Sequence, residues 1–433
     1  MAPSLVGIIG IVVLVILIFI RMPVAFAMAL VGVVGFGFLV SFDAAMNMAV
    51  RDLFDVFGSY GLTVIPLFIL MGQVAFHAGI SRRLFDVAYK FMGNLPGGLA
   101  IATVGACAGF AAICGSTNAT AATMAAVTIP EMKRYGYGDS LSTGVVAAGG
   151  SLGILVPPSV IFIIYGIMTE QSIGKLFMAG ILPGLLLVGL FIITIVVWVK
   201  IKPELAPRGG RISLGDKMKS LSGLAETIAL FILVMGGLFL GLFTPTEAGA
   251  VGAAGTLVIA VLRRTISFKG FLKSLFETTR ISCMILFIVA GATIFGHFLA
   301  VTMIPFTVAT WVTSMNLPSF AVMGLIVLVY MAGGCFMDAL ALITLTVPIF
   351  YPVISGMGFD PIWFGVIIVL VTQIGVITPP VGVNVYVVGG IAKDVPLQVI
   401  FRGALPMLAA LIAATFILIP FPDIALFLPG LMK

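Results

Sequence analysis

The chain alternates long apolar stretches with short polar segments over its whole length. Apolar stretches of membrane-spanning length occupy about 4–20, 23–41, 60–78, 140–168 and 176–200 in the first half, and about 224–242, 246–263, 280–300, 361–391 and 398–420 in the second. This pattern predicts five spans in each half of an all-α integral membrane protein. The first stretch lacks a basic start and a cleavage site of small residues, so we interpret it as a span and not as a signal peptide.

Between the third and fourth span of each half lies a segment that begins with Leu-Pro and is interrupted by small polar residues. These segments are 96–134, interrupted at GSTNAT, and 318–354, interrupted at GGCFMD. Residues 118–132 would form a helix of only about 22 Å, shorter than a hydrocarbon core of roughly 30 Å. We therefore predict two re-entrant hairpins, although two full spans would return the chain to the same side equally well.

Landmarks that recur at one interval indicate that the chain contains two copies of one unit. The proline pairs Pro157-Pro158 and Pro379-Pro380 are 222 residues apart (379 minus 157). Because five spans is an odd number, the second copy must begin on the opposite membrane face, which makes the repeat inverted. The same interval of 222 residues separates Pro23 from Pro245 and Leu95-Pro96 from Leu317-Pro318.

The repeat and the polar segments predict the division of the chain. The first copy is 1–200, with scaffold spans in 1–95, a hairpin at 96–134 and a broken span at 140–168. A cytoplasmic linker follows at 201–222, with Gly209-Gly210 as a helix breaker. The second copy is 223–433, with scaffold spans in 223–317, a hairpin at 318–354 and a broken span at 361–391. Segments 80–93 and 268–277 have the amphipathic pattern of helices that lie in the membrane interface.

Composition and charge place the chain in a membrane and orient it. With 61% hydrophobic and 9% charged residues, no soluble domain could bury so much apolar surface. The net charge of +6 comes from basic residues in a few short loops. Placing the N-terminus outside puts almost all of these loops in the cytoplasm, as the positive-inside rule requires. We therefore expect no nucleic-acid partner.

The proline pairs are the strongest functional signal. Each removes two backbone donors from a membrane segment and leaves carbonyl groups that lipid cannot satisfy. Beside a hairpin tip, such carbonyls and nearby hydroxyl groups suit Na⁺, and the N-termini of half-helices suit a substrate carboxylate. We predict two Na⁺ sites with one anion between them; the alternative is a pair of kinks that only shape the bundle.

Several polar residues have a structural alternative. Ser116, Thr117 and Asn118 could serve as helix N-caps as well as ligands, and Asp338 is either a functional carboxylate or an N-cap. His77 and His297 occupy matched positions, and we favour a packing or interface role over a proton relay. Glu247 is interpreted as a cap.

No catalytic or nucleotide-binding motif such as HExxH, GxSxG or a P-loop occurs in the apolar segments, so we expect no enzyme. The cysteines lack CxxC spacing, which argues against a zinc site or a disulfide framework and favours packing. They are Cys107, Cys114, Cys283 and Cys335.

These motifs together resemble the large membrane subunit of the tripartite ATP-independent periplasmic (TRAP) transporters, the DctM-like family. The resemblance extends over essentially the whole chain and includes RMPVAFA, IPLFILMG, GSTNATAATM, EMKRYGY, GSLGILVPPS, FTPTEAGA, GGCFMD and IGVITPPVGVN.

The resemblance implies a sodium-coupled secondary importer of organic acids in the bacterial inner membrane, working by an elevator movement. C4-dicarboxylates, keto acids or sialic acid would be delivered by a periplasmic (DctP-like) binding protein, and a small four-helix (DctQ-like) membrane subunit would complete the scaffold. The alternatives are a symporter of organic anions with sodium or a Na⁺/H⁺ antiporter that needs no binding protein, and a channel.

The resemblance also assigns site residues. The cofactor is Na⁺, and the substrate would lie near Thr117, Ser159 and Asn384. The first Na⁺ site would comprise Ser116, Asn118, Gly153, Val156 and Pro157, and the second Gly334, Asp338, Gly375, Thr378 and Pro379.

Overall fold

The computed structural model describes residues 2–207, 213–314 and 317–432. These residues form 21 α-helices and three short 3-10 helices, with no β-strand among them, which confirms the all-α class. The helices are α1 Pro3–Phe19, α2 Val24–Leu39, α3 Phe42–Gly58, α4 Val64–His77, α5 Ile80–Met92, α6 Gly98–Cys114, α7 Thr117–Arg134, α8 Asp139–Ser151, α9 Val160–Thr169, α10 Ile173–Ile201, α11 Leu214–Ser220, α12 Ser222–Phe239, α13 Pro245–Leu262, α14 Phe268–Thr302, α15 Ile304–Ser314, α16 Ser319–Gly334, α17 Ala339–Gly356, α18 Pro361–Ile377, α19 Val383–Ile391, α20 Leu397–Leu418 and α21 Asp423–Gly430.

The elements of the two halves follow one another in the same order. α1 and α2 correspond to α12 and α13, α3 with α4 corresponds to α14, and α5 corresponds to α15. α6 to α10 correspond in turn to α16 to α20. Adding 222 to the first residue of α7, Thr117, gives Ala339, which is the first residue of α17. The interval read from the proline pairs therefore locates nearly every helix of the second half.

Five of the described helices are long and apolar enough to cross a membrane, and the bent pair α3 and α4 is a sixth candidate. The first two helices are short for membrane spans: α1 and α2 contain 17 and 16 residues, or about 25 Å each. Their outer faces are apolar, with Phe19, Ile20 and Phe38 more than 60% exposed. Such faces are suited to lipid and not to water.

Each half contains one long arm, which is α3 with α4 in the first half and α14 in the second. The apolar pattern of the sequence predicts neither arm completely. Helix α3 was not predicted, because its acidic and basic residues hide it from a search for apolar stretches. It joins α4 through a bend of 55°. The prediction of a separate interfacial helix at 268–277 is wrong, because these residues continue into α14, a single helix of 35 residues. No glycine or proline occurs between 271 and 290 to end that helix.

Each arm carries one histidine that meets a carboxylate of the other arm. His77 Nε2 at the end of α4 lies 3.3 Å from Glu277 Oε2, and His297 Nδ1 lies 2.8 Å from Asp52 Oδ2 on α3. Both pairs join the first half of the chain to the second, near opposite ends of the arms. The histidines therefore lie at the interface between the halves, which is the role favoured from the sequence.

The remaining scaffold predictions have mixed outcomes. α5 is a separate amphipathic helix that buries Ile80, Leu84 and Val87, but Phe91, expected on the same face, is exposed. Glu247 is a cap, as expected, since it forms a reciprocal capping box with the N-cap residue of α13. In the linker, α11 forms within 201–222, and Gly209-Gly210 lies outside the described residues.

The first hairpin and helices α8, α9 and α18 pack at the centre of the molecule, whereas α16 of the second hairpin is exposed along one face. α18 is apolar all round, and every residue from Ile362 to Ile377 is buried, as expected for a helix with neighbours on all sides. α8 crosses α20 where Gly144 faces Gly403, and a Cβ on either glycine would overlap the opposing backbone. The first proline pair, Pro157-Pro158, is buried among these helices, whereas the second, Pro379-Pro380, is exposed.

Candidate ion and substrate site

Two hairpin tips turn the chain between helices. Tip 1, defined as 115–118, joins α6 to α7, and the Ser116 side chain caps α7 by accepting a hydrogen bond from Ala119 N at 3.5 Å. Tip 2, defined as 335–338, joins α16 to α17. Asp338 Oδ1 caps α17 more tightly, at 2.7 and 3.1 Å from Leu340 N and Ala341 N. The capping roles suggested by the sequence for Ser116 and Asp338 are confirmed.

Both proline pairs lie in interruptions between helices. Break 1, defined as 152–159, separates α8 from α9, and Ser159 ends it by donating to Ile154 O at 2.6 Å and capping α9. Break 2, defined as 378–382, separates α18 from α19, and Thr378 donates its hydroxyl hydrogen to Ile374 O at 2.6 Å. Backbone carbonyl groups in these breaks are freed from helical hydrogen bonding.

Tip 1 touches break 1 through backbone atoms. Gly153 lies against the Ser116 carbonyl group so closely that a Cβ on Gly153 would overlap it, and the same Cβ would lie 2.9 Å from Thr120 Oγ1. Thr120 donates to Ser116 O at 2.8 Å and is fully buried. The structure thus brings together Ser116 and Gly153 of the predicted first Na⁺ site, and it adds Thr120, which the sequence reasoning missed although it belongs to the quoted GSTNAT motif.

Tip 2 touches break 2 as well, and α16 touches α18 just before them. A Cβ on Gly375 would overlap the Gly334 backbone, and one on Gly334 would lie 3.1 Å from Gly375 Cα. Val381 N also donates to Cys335 O at 3.3 Å, which joins the tip to the break directly. Thr378 N donates to Gly375 O at 3.2 Å. Gly334, Gly375 and Thr378 of the predicted second site therefore lie close together.

The donor atoms around both contacts suit a hard monovalent cation. They are backbone carbonyls and hydroxyls, and among the described residues no group of three or more His, Cys, Asp or Glu side chains is placed to hold a metal ion. Carbonyl groups of interrupted helices are ligands for Na⁺ in membrane transporters. Val156 and Pro157 of the first predicted site and Pro379 of the second lie within the breaks.

A cavity of about 110 Å³ lies between the two tips. Its polar lining includes Ser116, Thr117, Asn118 and Asp338, together with Gln73 from α4. Apolar side chains of the arms close the other wall, and none of the lining residues is a lysine, arginine or histidine. The volume is below that of pockets for drug-sized ligands. The cavity therefore suits a small molecule in contact with both tips.

The predicted substrate residues do not all reach this cavity. Thr117 lines it, but Ser159 and Asn384 are not among its lining residues. Ser159 is fully buried and caps α9, and Asn384 is fully buried and donates to Ala147 O at 2.9 Å. Gln73 was missed; the signal was an amide within the apolar third span, since polar residues in such segments are functional by default.

Charged residues at the far end of α7 join the first hairpin to both broken helices. Lys133 donates to Asp394, which follows α19, and its ammonium lies 3.6 Å from Asp139 at the start of α8. The hydrogen bond from Lys133 holds the pKa of the Asp394 carboxyl below its ordinary value. The hairpin and the two broken helices are thus tied together outside the apolar core.

Comparison with known proteins identifies the family. Residues 11–424 match the family described as "Tripartite ATP-independent periplasmic transporter, DctM component". The C4-dicarboxylate TRAP transporter large permease protein DctM of Pseudomonas aeruginosa is 38% identical over 90% of this chain and 91% of its own length. The sialic acid TRAP transporter large permease protein SiaM of Vibrio cholerae is 33% identical over 96% of each chain.

A solved structure has a similar fold. The YdaH transporter of Alcanivorax borkumensis superposes with a TM-score of 0.65 at 14% identity, covering 91% of this chain and 90% of the other. At that identity the likeness concerns the fold alone. The sequence matches, which extend over nearly the whole chain, show that the protein belongs to the DctM family of TRAP transporter large permeases.

Proposed function

We propose that this permease is a sodium-coupled secondary importer of organic acids, and that it moves its substrate by an elevator mechanism. The observation that carries the proposal is the paired arrangement of tip and break. Each hairpin tip meets its own interrupted helix through backbone atoms, and both tips line one cavity. This arrangement favours the binding of two Na⁺ ions, one at each contact between a tip and a break, with one substrate molecule between them.

The charge of the cavity supports strict dependence on Na⁺. Its lining holds one carboxylate, Asp338, and no basic side chain. An organic anion would therefore be held by the N-terminal end of α7 at Thr117 and by Na⁺ bound at the adjacent contacts. Without Na⁺, an anion in the cavity would be attracted only weakly by the N-terminal end of α7, and it would be repelled by the carboxylate of Asp338.

The position of the cavity supports an elevator movement. One wall consists of tips and breaks, which pack together in the centre of the molecule, and the other consists of arm residues such as Ile69, Ile281 and Ile285. Apolar contacts with the arms involve no directional hydrogen bonds. None must therefore break at these contacts when the hairpins and broken helices slide past the arms. We assign α3, α4 and α14 to the fixed scaffold and the hairpins with the broken helices to the moving body.

The relatives indicate the substrate class and the partners. Their names specify C4-dicarboxylate, sialic acid and 2,3-diketo-L-gulonate, all of them organic acids. We infer that a periplasmic binding protein delivers the acid and that a small membrane subunit packs on the exposed apolar helices. From the loop charges we infer that the complex lies in the bacterial inner membrane with the N-terminus in the periplasm.

Reconstitution tests the proposal. The chain is co-reconstituted with its small subunit, and uptake of radiolabelled succinate and of sialic acid is measured with the binding protein outside. We expect uptake of one of them only with an inward Na⁺ gradient and only with the binding protein. Equal uptake in choline buffer would reject sodium coupling. Equal uptake without the binding protein would favour the alternative, a symporter that needs no binding protein.

A further inference from the structure

One hydrogen bond joins two residues that occupy the same position in the two halves. The Oγ of Ser151, at the end of α8, lies 3.0 Å from Oε1 of Gln373 on α18, and the two residues are 222 apart in sequence. In a two-fold repeat, equivalent groups lie at equal distances on either side of the axis. Equivalent residues that touch must therefore lie at the axis, where the two halves of the central body meet.

A second amide, one helical turn away, joins α8 to α19. Asn384 Nδ2 on α19 donates to Ala147 O on α8 at 2.9 Å, and Ala147 precedes Ser151 by four residues. Gln373 precedes break 2 and Asn384 follows it, so both ends of the second broken helix are bonded to α8. α8 itself leads directly into break 1. These bonds thus connect the segments that form the two predicted ion sites.

The hydrogen bonds of this cluster are incomplete. Ser151, Gln373 and Asn384 are all fully buried, and Gln373 Nε2 and Asn384 Oδ1 have no partner among the described residues. Ser151 has a single hydroxyl hydrogen, which it also directs to Ala148 O at 2.7 Å. If that hydrogen goes to Ala148, the Gln373 amide must turn its NH₂ group towards Ser151, which leaves Oε1 as the unpaired atom.

In either orientation, one amide atom of Gln373 and one of Asn384 lack a partner in a fully buried place. Buried amide atoms are ordinarily satisfied, and ordered water is the usual partner where no protein group reaches. The two amides bond to α8 at positions one helical turn apart, or about 6 Å. A water molecule that reaches both amides would satisfy the two unpaired atoms.

We propose that Gln373 and Asn384, with Ser151 and a buried water, form an amide bridge that couples the two Na⁺ sites. Binding of Na⁺ at one break fixes the helix ends that the bridge connects to the other break, so the second ion binds to a site that is already ordered. These are positioning residues, since neither amide lines the substrate cavity. The inference rests on the proposed sodium coupling.

Equilibrium binding of radioactive Na⁺ to the purified full chain tests the bridge. We expect wild-type protein to bind Na⁺ with a Hill coefficient near two. Gln373→Met and Asn384→Leu, which keep the volume approximately and remove the amide, should lower it to about one and raise the half-saturating Na⁺ concentration by about fivefold or more. A residue that only supports folding would reduce the amount of active protein without changing the shape of the curve.

Three further variants sharpen the test. Ser151→Ala removes one hydroxyl with little change in volume and should flatten the curve in the same direction, so a failure of the larger substitutions to fold does not remove the test. The double variant Ser151→Gln with Gln373→Ser exchanges the two residues and rebuilds the pair across the axis. It should restore the steepness of the Na⁺ binding curve. Thr415→Val is the control, because its buried hydroxyl bonds only Leu411 O within its own helix.

The possible failures can be told apart. If wild-type protein binds no Na⁺, the proposed function is wrong, and the bridge is rejected with it. If wild-type binding is cooperative and Ser151→Ala, Gln373→Met and Asn384→Leu all keep that steepness, the bridge is rejected while sodium coupling stands. Flattening by Thr415→Val as well would show a general loss of packing and would also overturn the assignment.

Discussion

Asp338→Asn is expected to raise the Na⁺ concentration for half-maximal uptake about tenfold while leaving the protein folded. Asp338 is the one carboxylate in the cavity lining, and an exchange to asparagine removes its negative charge but keeps an oxygen that can cap α17. A tenfold weaker affinity for Na⁺ corresponds to a loss of about 1.4 kcal/mol of binding free energy, which we ascribe to the missing charge. The measurement is succinate or sialic acid uptake at graded Na⁺ concentrations.

Further variants separate the two roles of Asp338. Asp338→Ala removes the cap as well, so it should lower the thermal stability by about 1 kcal/mol in addition to weakening Na⁺ dependence. Asn118→Ala, at tip 1, should also weaken Na⁺ dependence. His77→Ala is the control, since its contact with Glu277 is partly exposed and such pairs contribute about 0–1 kcal/mol. Unchanged sodium dependence in both tip variants would show that the ions bind elsewhere.

The position of the site could be predicted from sequence because backbone chemistry dictates it. A proline pair in an apolar segment interrupts a helix wherever it occurs, and the two pairs fixed the interval that relates α7 to α17 and α9 to α19. The tips were recognisable for a similar reason, since Ser116 and Asp338 are cap residues within apolar surroundings.

The packing of the site could not be predicted from the sequence. The interval of 222 residues shows which residues of the two halves are equivalent, but it does not show which residues touch. Gln73 and Ile285 come from arms distant in sequence, and nothing in their local pattern places them opposite the tips. The family resemblance assigned Ser159 and Asn384 to the substrate. The structure uses both to satisfy buried backbone groups, a demand that arises only once the helices pack.

The two halves also differ from each other at matched positions. The arm of the first half bends by 55° between α3 and α4, and its counterpart α14 is one helix. The bend lies at Gly58–Gly61, whereas the corresponding residues near 280–283 are RISC, which supports an unbroken helix. Tip 2 carries a carboxylate and tip 1 carries none. The two ion sites are thus expected to have related backbone ligands and different charge.

Gly375→Ala is expected to abolish sodium-dependent uptake and to lower stability by about 1–3 kcal/mol, the cost of overpacking a filled core. The added Cβ would overlap the Gly334 backbone, which has no flexible end that can move aside. Tip 2 must therefore shift away from break 2, which separates the carbonyl groups that we assign to one ion. Uptake and Na⁺ binding are measured on protein whose folding is checked by its melting temperature.

Two other glycine-to-alanine substitutions serve as comparisons for Gly375→Ala, one at the equivalent glycine of the first half and one in the helix that follows break 2. Gly153→Ala, at the glycine equivalent to Gly375, should have the same effect, because its Cβ would overlap the Ser116 carbonyl. Gly390→Ala, in α19, places its Cβ in open space and should leave uptake and Na⁺ binding unchanged. If Gly375→Ala and Gly153→Ala both retain wild-type Na⁺ binding, close approach of tip and break is not what builds the ion sites. If only one of them loses binding, that contact alone holds a coupling ion.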